Sequence, residues 1–398
     1  MKKWIAIMLA WALALTLISS VAENRDQEQN DPVCDDYRYR VLEDGTAEVL
    51  EYVGKNHDLV IPETLDGYTV TSIGEEAFYH YRYSLEELTI PETITHIGSS
   101  AFALTDLERI EIPKSVTSMG DNPFGYCDEL ETVTVAEGNP AFYVQDGVLF
   151  CREDHSLVCY PNMLENDEYT VPDGTEIIRG SAFGGVEELE KVVLPDGLKQ
   201  IGKQAFAFCW SLQSIVIPDS VTEIADAAFD TCRALQTVVL PAGLTRIGVM
   251  MFYECYDLET VNIPETVTEI AESAFDYCTN LKEIRIPAGV TEISDGAFEA
   301  CEQIQTVVIP AGVTKIGAFA FGGCINLSDV QIPDSVTEIG EQAFQRCHSL
   351  HSLHIPGSVT SIGTEAFFDC PDDLVIAGAD GSYAKAYCEE NQIAFQAK

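Results

Sequence analysis

Basic residues are scarce in this chain. Its 398 residues hold 22 Lys and Arg against 65 Asp and Glu, a formal charge of −43 at neutral pH. So acidic a surface repels phosphates and anionic lipid, which sets aside nucleic acid and anionic membranes as partners. Short catalytic and phosphate-binding motifs are missing as well: H-E-x-x-H, C-x-x-C, the P-loop, G-x-G-x-x-G and G-x-S-x-G do not occur. Carboxylates are abundant, yet no pair stands out as general acid and base. No enzyme and no cofactor are expected. The D-x-D-x-D-G loop of a tight calcium site is absent too, so cation binding through the acids would be diffuse. No 3.6-residue period runs through any long stretch, which excludes long amphipathic helices. Beyond residue 22 no apolar run is long enough to cross a bilayer.

The first residues carry an address. Lys2 and Lys3 precede an apolar run from Trp4 to Ile18, and Ser20-Val21-Ala22 fits a small-x-small cleavage site, the pattern of a secretory signal peptide over residues 1–22. Its removal would take two Lys and no acid, leaving 20 basic residues against 65 acidic ones. Residues 23–33 read as a disordered acidic linker. Neither a lipobox cysteine nor an LPxTG-type sorting signal is present, so the expected product is exported, secreted or held at the cell surface by other means.

What fills the rest is a repeat. Pro172, Pro195, Pro218, Pro241, Pro264, Pro287, Pro310, Pro333 and Pro356 stand 23 residues apart. A period of that size marks a solenoid, one coil per repeat. The template is L-x-x-I-x-I-P-x-x-V-T-x-I-G-x-x-A-F-x-x-C-x-x. Its I-x-I piece alternates with period two and predicts a half-buried strand, with Ile215 and Ile217 inward and Val216 outward. Proline ends the strand because it has no N–H for a ladder. V-T-x-I reads as a second extended piece, followed by a small residue at a corner. A-F-x-x-C-x-x-L has helical spacing but room for only a turn or two. About fourteen coils at ~4.8 Å per rung give a rod of about 65 Å. The expected fold is a solenoid with a parallel β-sheet on one face, short turns or helical turns on the other, and caps at both ends.

The motif I-P-x-x-V-T-x-I-G-x-x-A-F-x-x-C-x-x-L, present in full or nearly so from about Leu88 to Cys370, resembles the BspA-like leucine-rich repeat family of secreted bacterial proteins. LVIPETLDGYTVTSIGEEAF resembles the family's opening and GADGSYAKAYCEENQIAF its terminal cap. The resemblance implies an N-terminal β-hairpin cap at 34–58, a leucine-rich repeat solenoid at 59–373 and a C-terminal cap at 374–398. Between Pro113 and Pro172 the period fails. Val148–Cys151 and Leu157–Tyr160 read as the strands of a hairpin insertion, at about 139–169, projecting from the rod.

Eight of the 13 cysteines (Cys209, Cys232, Cys255, Cys278, Cys301, Cys324, Cys347 and Cys370) share one repeat position. Thr105 and Val186 take the same slot. A rung spacing of ~4.8 Å exceeds the ~3.8 Å between the Cβ atoms of a disulfide. These eight are therefore read as small buried apolar groups. Cys151 and Cys159, placed across the expected hairpin, are the candidate disulfide. Cys34 and Cys388 lie outside the ladder. His348, His351 and His354 are close in sequence but fall on different faces of the coil, so no metal is assigned to them.

Recognition should use positions that vary while the core does not. The outward mid-strand residues Val193, Val216, Val239, Asn262, Arg285, Val308, Gln331 and His354 form such a row, with Val193, Val216 and Val239 as an apolar stripe. Trp210, Tyr253, Tyr256 and Tyr277 cluster near the turns, where packing between coils is the first reading and an aromatic binding patch the second. The expected function is a protein-binding scaffold whose partner is an extracellular protein or glycan, with adhesion to host matrix or other cells implied by the resemblance. A secreted hydrolase using surface carboxylates and a structural spacer in a surface assembly are the alternatives.

Overall fold

The computed structural model describes residues 31–79 and 85–398. The expected signal peptide and most of the linker lie outside the described residues. Within them the chain winds as a β-solenoid with a 23-residue period, and its coils stack along three faces, hydrogen-bonded over most of their length.

The first face is built from the I-x-I strands. Ser214–Val216, Thr237–Val239 and Thr260–Asn262 run parallel, with Val216 opposite Val239 and Val239 opposite Asn262. Ile215 and Ile217 are buried and Val216 is 63% exposed. The second face consists of two-residue strands such as Gln200–Ile201 and Glu223–Ile224, also parallel. Between the two faces the proline does more than end a strand. Its carbonyl accepts an N–H from the residue three positions on, as in Val221 to Pro218 and Val313 to Pro310, both at 3.0 Å. Each proline therefore opens a β-turn. At the next corner a side chain has no room: a Cβ on Gly340 would lie 2.4 Å from the Ala318 nitrogen.

The third face departs from the expected helical turns. Residues two before and two after nearly every core phenylalanine adopt left-handed backbone angles, most of them not glycine, among them Gln204 and Phe208, Ala227 and Thr231, and Met250 and Glu254. One such residue costs roughly 1–2 kcal/mol and ends any α-helix. In return, three amides per coil point at the next coil. The Ala227, Phe229 and Thr231 N–H groups donate to the Val249, Met251 and Tyr253 carbonyls at 2.8, 3.1 and 2.7 Å. Among the described residues the α-helix is confined to Tyr383–Asn391 in the C-terminal cap, where Ser382 caps its first turn.

Stacked phenylalanines fill the interior. From Phe183 to Phe367 successive rings lie 4.8–5.7 Å apart and nearly parallel. A shorter row joins Phe78, Phe102 and Phe124. A tyrosine closes three of the four ends of these rows. Tyr52 stacks on Phe78, Tyr160 on Phe183, and Tyr387 meets Phe367 edge-on. Each phenol oxygen there accepts a hydrogen bond, from Asn56 N, Asn166 Nδ2 and Ala366 N respectively. A ring that is apolar on its face and polar at its tip suits the last place in a row.

The insertion does not project. Phe142–Gln145, Val148–Cys151 and Ser156–Cys159 form an antiparallel unit, and Ser156–Cys159 then pairs in parallel with Ile177–Ile178 of the second face. Both hairpin strands are fully buried. Val148, Phe150 and Leu157 join the core that runs on to the C-terminus, whereas Leu149, Cys151, Val158 and Cys159 join the N-terminal core. The hairpin is thus a wall between two cores. This differs from the projecting hairpin that the sequence suggests, because strands apolar on both sides are the mark of burial on both faces.

On the third face the coils bridge this wall. The Asn122 and Tyr126 amides donate directly to Gly180 and Gly184. Midway, Tyr160 takes the Ala182 carbonyl, and the Phe124 N–H turns instead to the Asn122 side chain at 3.0 Å. Arg179 fastens the same junction. Its guanidinium donates to the Met119 and Gly120 carbonyls at 2.8 and 2.9 Å and to Ser156 Oγ at 2.8 Å, and pairs with Asp154 at 2.7 Å. Burial opposes ionisation of Asp154, but the bonds from Ser156 and Arg179 outweigh it and pull its carboxyl down to about 2.

Candidate functional site

Every member of the expected strand row is exposed: Val193, Val216, Val239, Asn262, Arg285, Val308, Gln331 and His354. The structure gathers them into groups rather than one line. Val193 and Val216 to Asn262 belong to one five-stranded ladder. Val308 and Gln331 pair in a second, and His354 joins the C-terminal cap opposite Ala377. Arg285 lies between the ladders on a segment without strand pairing and meets Glu265 at 2.7 Å. A companion row two residues earlier, Lys191, Ser214, Thr237, Thr260, Thr306, Asp329 and Ser352, is not singled out by the sequence; it too faces outward, exposed except at the half-buried Ser214. The period of two that placed Val216 outward also placed Ser214 there.

Two hollows of about 590 Å³ open on this face. One is lined by Glu87, Glu92, Arg109, Glu111, Glu131 and neighbouring threonines, the other by Asp329, His351, His354 and Lys398 among others. The three clustered histidines part company: His348 turns to Asp369, His351 to Asp373 and His354 to the Ala377 carbonyl. Among the described residues no three His, Cys, Asp or Glu are arranged to hold a metal ion.

The cysteines correct two expectations. Cys151 and Cys159 are free thiols and not opposite one another; Cys159 pairs with Leu149 and Cys151 with Phe142, because a bulge shifts the register. The ladder cysteines are free as expected, but they are more than small apolar groups. Each Sγ donates to a phenylalanine carbonyl 26 residues earlier, as Cys255 does to Phe229 at 3.2 Å. Burial pushes these thiols up, well above their ordinary value for Cys255, which keeps them protonated and able to donate. Cys127 extends the ladder into the N-terminal core, bonding to Phe102. In the same slot Thr105 bonds the carbonyl of its own Phe102.

The turn face is the richer in chemistry. Trp210, Arg233 and Tyr256 occupy one repeat position in successive coils, and the guanidinium lies 5.2 Å from the indole centre and 5.6 Å from the phenol centre. Glu254 holds this stack, accepting from the Tyr256 hydroxyl at 2.7 Å and pairing with Arg233 at 3.5 Å. Alongside, Tyr253 and Tyr277 meet edge to face, and Asp230 and Asp276 are buried. Burial, more than any neighbouring charge, raises their carboxyls to about 7 and about 8.

A family model described as the BspA type leucine rich repeat region matches residues 55–145, 158–282 and 268–376, in six copies. The fold is similar to that of a leucine-rich repeat protein from Bacteroides ovatus, 25% identical, covering 87% of this chain and 99% of the other, with a TM-score of 0.53. A second such protein, from Eubacterium ventriosum, is 22% identical and covers 80% of this chain and 94% of its own, with a TM-score of 0.52. No curated protein matches the chain.

Proposed function

Because the chain belongs to the BspA-type leucine-rich repeat family, we propose that it is an exported scaffold, secreted or held at the cell surface, that binds an extracellular protein or glycan through its strand face. Adhesion to host matrix or to other cells is the role this reading assigns. One observation carries it: the buried rows repeat from coil to coil, while the outward strand positions change from Val239 to Asn262 to Arg285. Selection for folding alone leaves such positions free, and recognition by a solenoid uses its extended face. The exposed valines Val193, Val216 and Val239, 41%, 63% and 47% accessible, supply an apolar centre, and the polar residues beyond them supply specificity.

The direct experiment presents the protein to immobilised matrix proteins and glycans and measures saturable binding. Replacing Val216 and Val239 by Thr and Arg285 by Ala should weaken binding about tenfold or more, as loss of an interface centre does. Saturable binding that survives this triple substitution unchanged would remove the strand face from the proposal.

A further inference from the structure

The turn face carries charge where a packed solenoid has least use for it. In the four coils from Phe229 to Ala300, the residue after each core phenylalanine is in turn Asp230, Tyr253, Asp276 and Glu299, and the next is Thr231, Glu254, Tyr277 and Ala300. The outcome is a checkerboard of four carboxyl groups and two phenols. Asp276 is only 6% exposed, and its Oδ1 has no hydrogen-bond partner. It faces Glu299 and Glu254 on the coils to either side, with Ser273 as its side-chain hydrogen-bond partner. Asp230, on the far side of Glu254, bonds Thr231.

Positive charge is short here. Arg233 is already taken by Glu254 and the Trp210–Tyr256 stack. Arg346 acts on Tyr277 from three repeats away and sits 3.9 Å from Asp369. A buried carboxylate without a counter-charge is costly and takes up a proton instead, which accounts for the raised values of Asp230 and Asp276. The cluster therefore lacks one cation. The donors do not converge as metal ligands do. They alternate with phenol rings, which suits an organic cation held by carboxylate and ring face together. The same face already shows that arrangement in Arg233.

We propose that Asp276, with Glu254 and Glu299 beside it and the phenols of Tyr253 and Tyr277 around it, forms a docking site for a lysine or arginine side chain of a basic partner protein. This rests on the reading of the chain as a binding scaffold, but it adds a contact on the turn face, apart from the strand row. Tyr277, the next residue in the chain, is 42% accessible and meets Tyr253 edge to face; in this proposal its ring shifts as the cation enters and then packs against it. The incoming charge replaces the proton on Asp276, so binding and proton release are one event.

The test is calorimetric titration of the full chain with a blocked tetralysine peptide, and with tetraglutamate as control, in buffers of different ionisation enthalpy. The expected result is saturable tetralysine binding at neutral pH with release of close to one proton. Affinity should rise about tenfold or more from pH 6 to pH 8.5, since each unit below the value of the carboxyl costs up to tenfold. Asp276→Asn should abolish proton release and the pH dependence, and Tyr277→Ala, an exposed change that leaves the fold intact, should weaken binding at every pH. If both variants bind as the parent does, the attraction is the diffuse field of an acidic protein and the proposal fails. Competition by millimolar calcium with the same proton release would also overturn it, in favour of a metal site. The strand-face triple variant separates the two readings: a native partner lost there but retained by Asp276→Asn and Tyr277→Ala upholds the scaffold and refutes this site.

Discussion

The strand face and the turn face of the same coils are held together differently. The strand ladder stops between Asn262 and Thr306 and again between Gln331 and Ser352. The turn ladder keeps all three amide bonds in every coil from Ser181 to Phe368. Coil stacking therefore depends on the turns, their left-handed residues and the phenylalanine row beneath them. Freed of that duty, the strand face tolerates Val, Asn, Arg, Gln and His at one repeat position, and even a coil without strand pairing around Arg285.

If this division is right, substitutions should sort by face. Phe275→Ala, at the heart of the stacked row, should cost about 3–5 kcal/mol in urea unfolding, with the neighbouring coils losing amide protection first. A loss below about 1 kcal/mol would mean that the rings do not hold the coils together. Cys255→Val keeps the volume but removes the S–H donor to the Phe229 carbonyl, and about 1 kcal/mol should go with it. An unchanged midpoint would return the ladder cysteines to the status of plain fillers. On the strand face, Val216→Thr should alter stability by no more than about 0.5 kcal/mol. A larger loss would show the outward row to be structural after all.

The architecture was legible because the repeat writes it many times over. Alternation alone places Ile215 and Ile217 inward, and the common slot of the cysteines argues against disulfides from spacing alone. What the sequence hid has physical reasons. The left-handed turns are mostly occupied by residues such as Gln204, Phe208, Met250 and Glu254, with glycine only at scattered copies such as Gly296 and Gly323, so no repeating compositional signal betrays them; only stacking makes them worth their strain. The thiol bonds of the cysteines join positions 26 residues apart, a spacing that means nothing until the coils are superposed. The wall at Val148–Cys159 looked like an exposed hairpin because its second apolar face had no visible partner. In the turn-face cluster, Asp276 and Tyr277 sit at template positions marked as variable, where acids are so common in this chain that one buried carboxyl does not stand out.

The tyrosines that close the ring rows carry a further consequence. Tyr52, Tyr160 and Tyr387 act as punctuation: each marks where one run of aromatic rings begins or ends. Between two such marks a coil touches only its neighbours, so whole repeats could be gained or lost inside a run without disturbing either terminus. Length in this molecule is then an adjustable quantity, set in 23-residue steps between Tyr160 and Tyr387, while the short run beyond the hairpin wall keeps its own count.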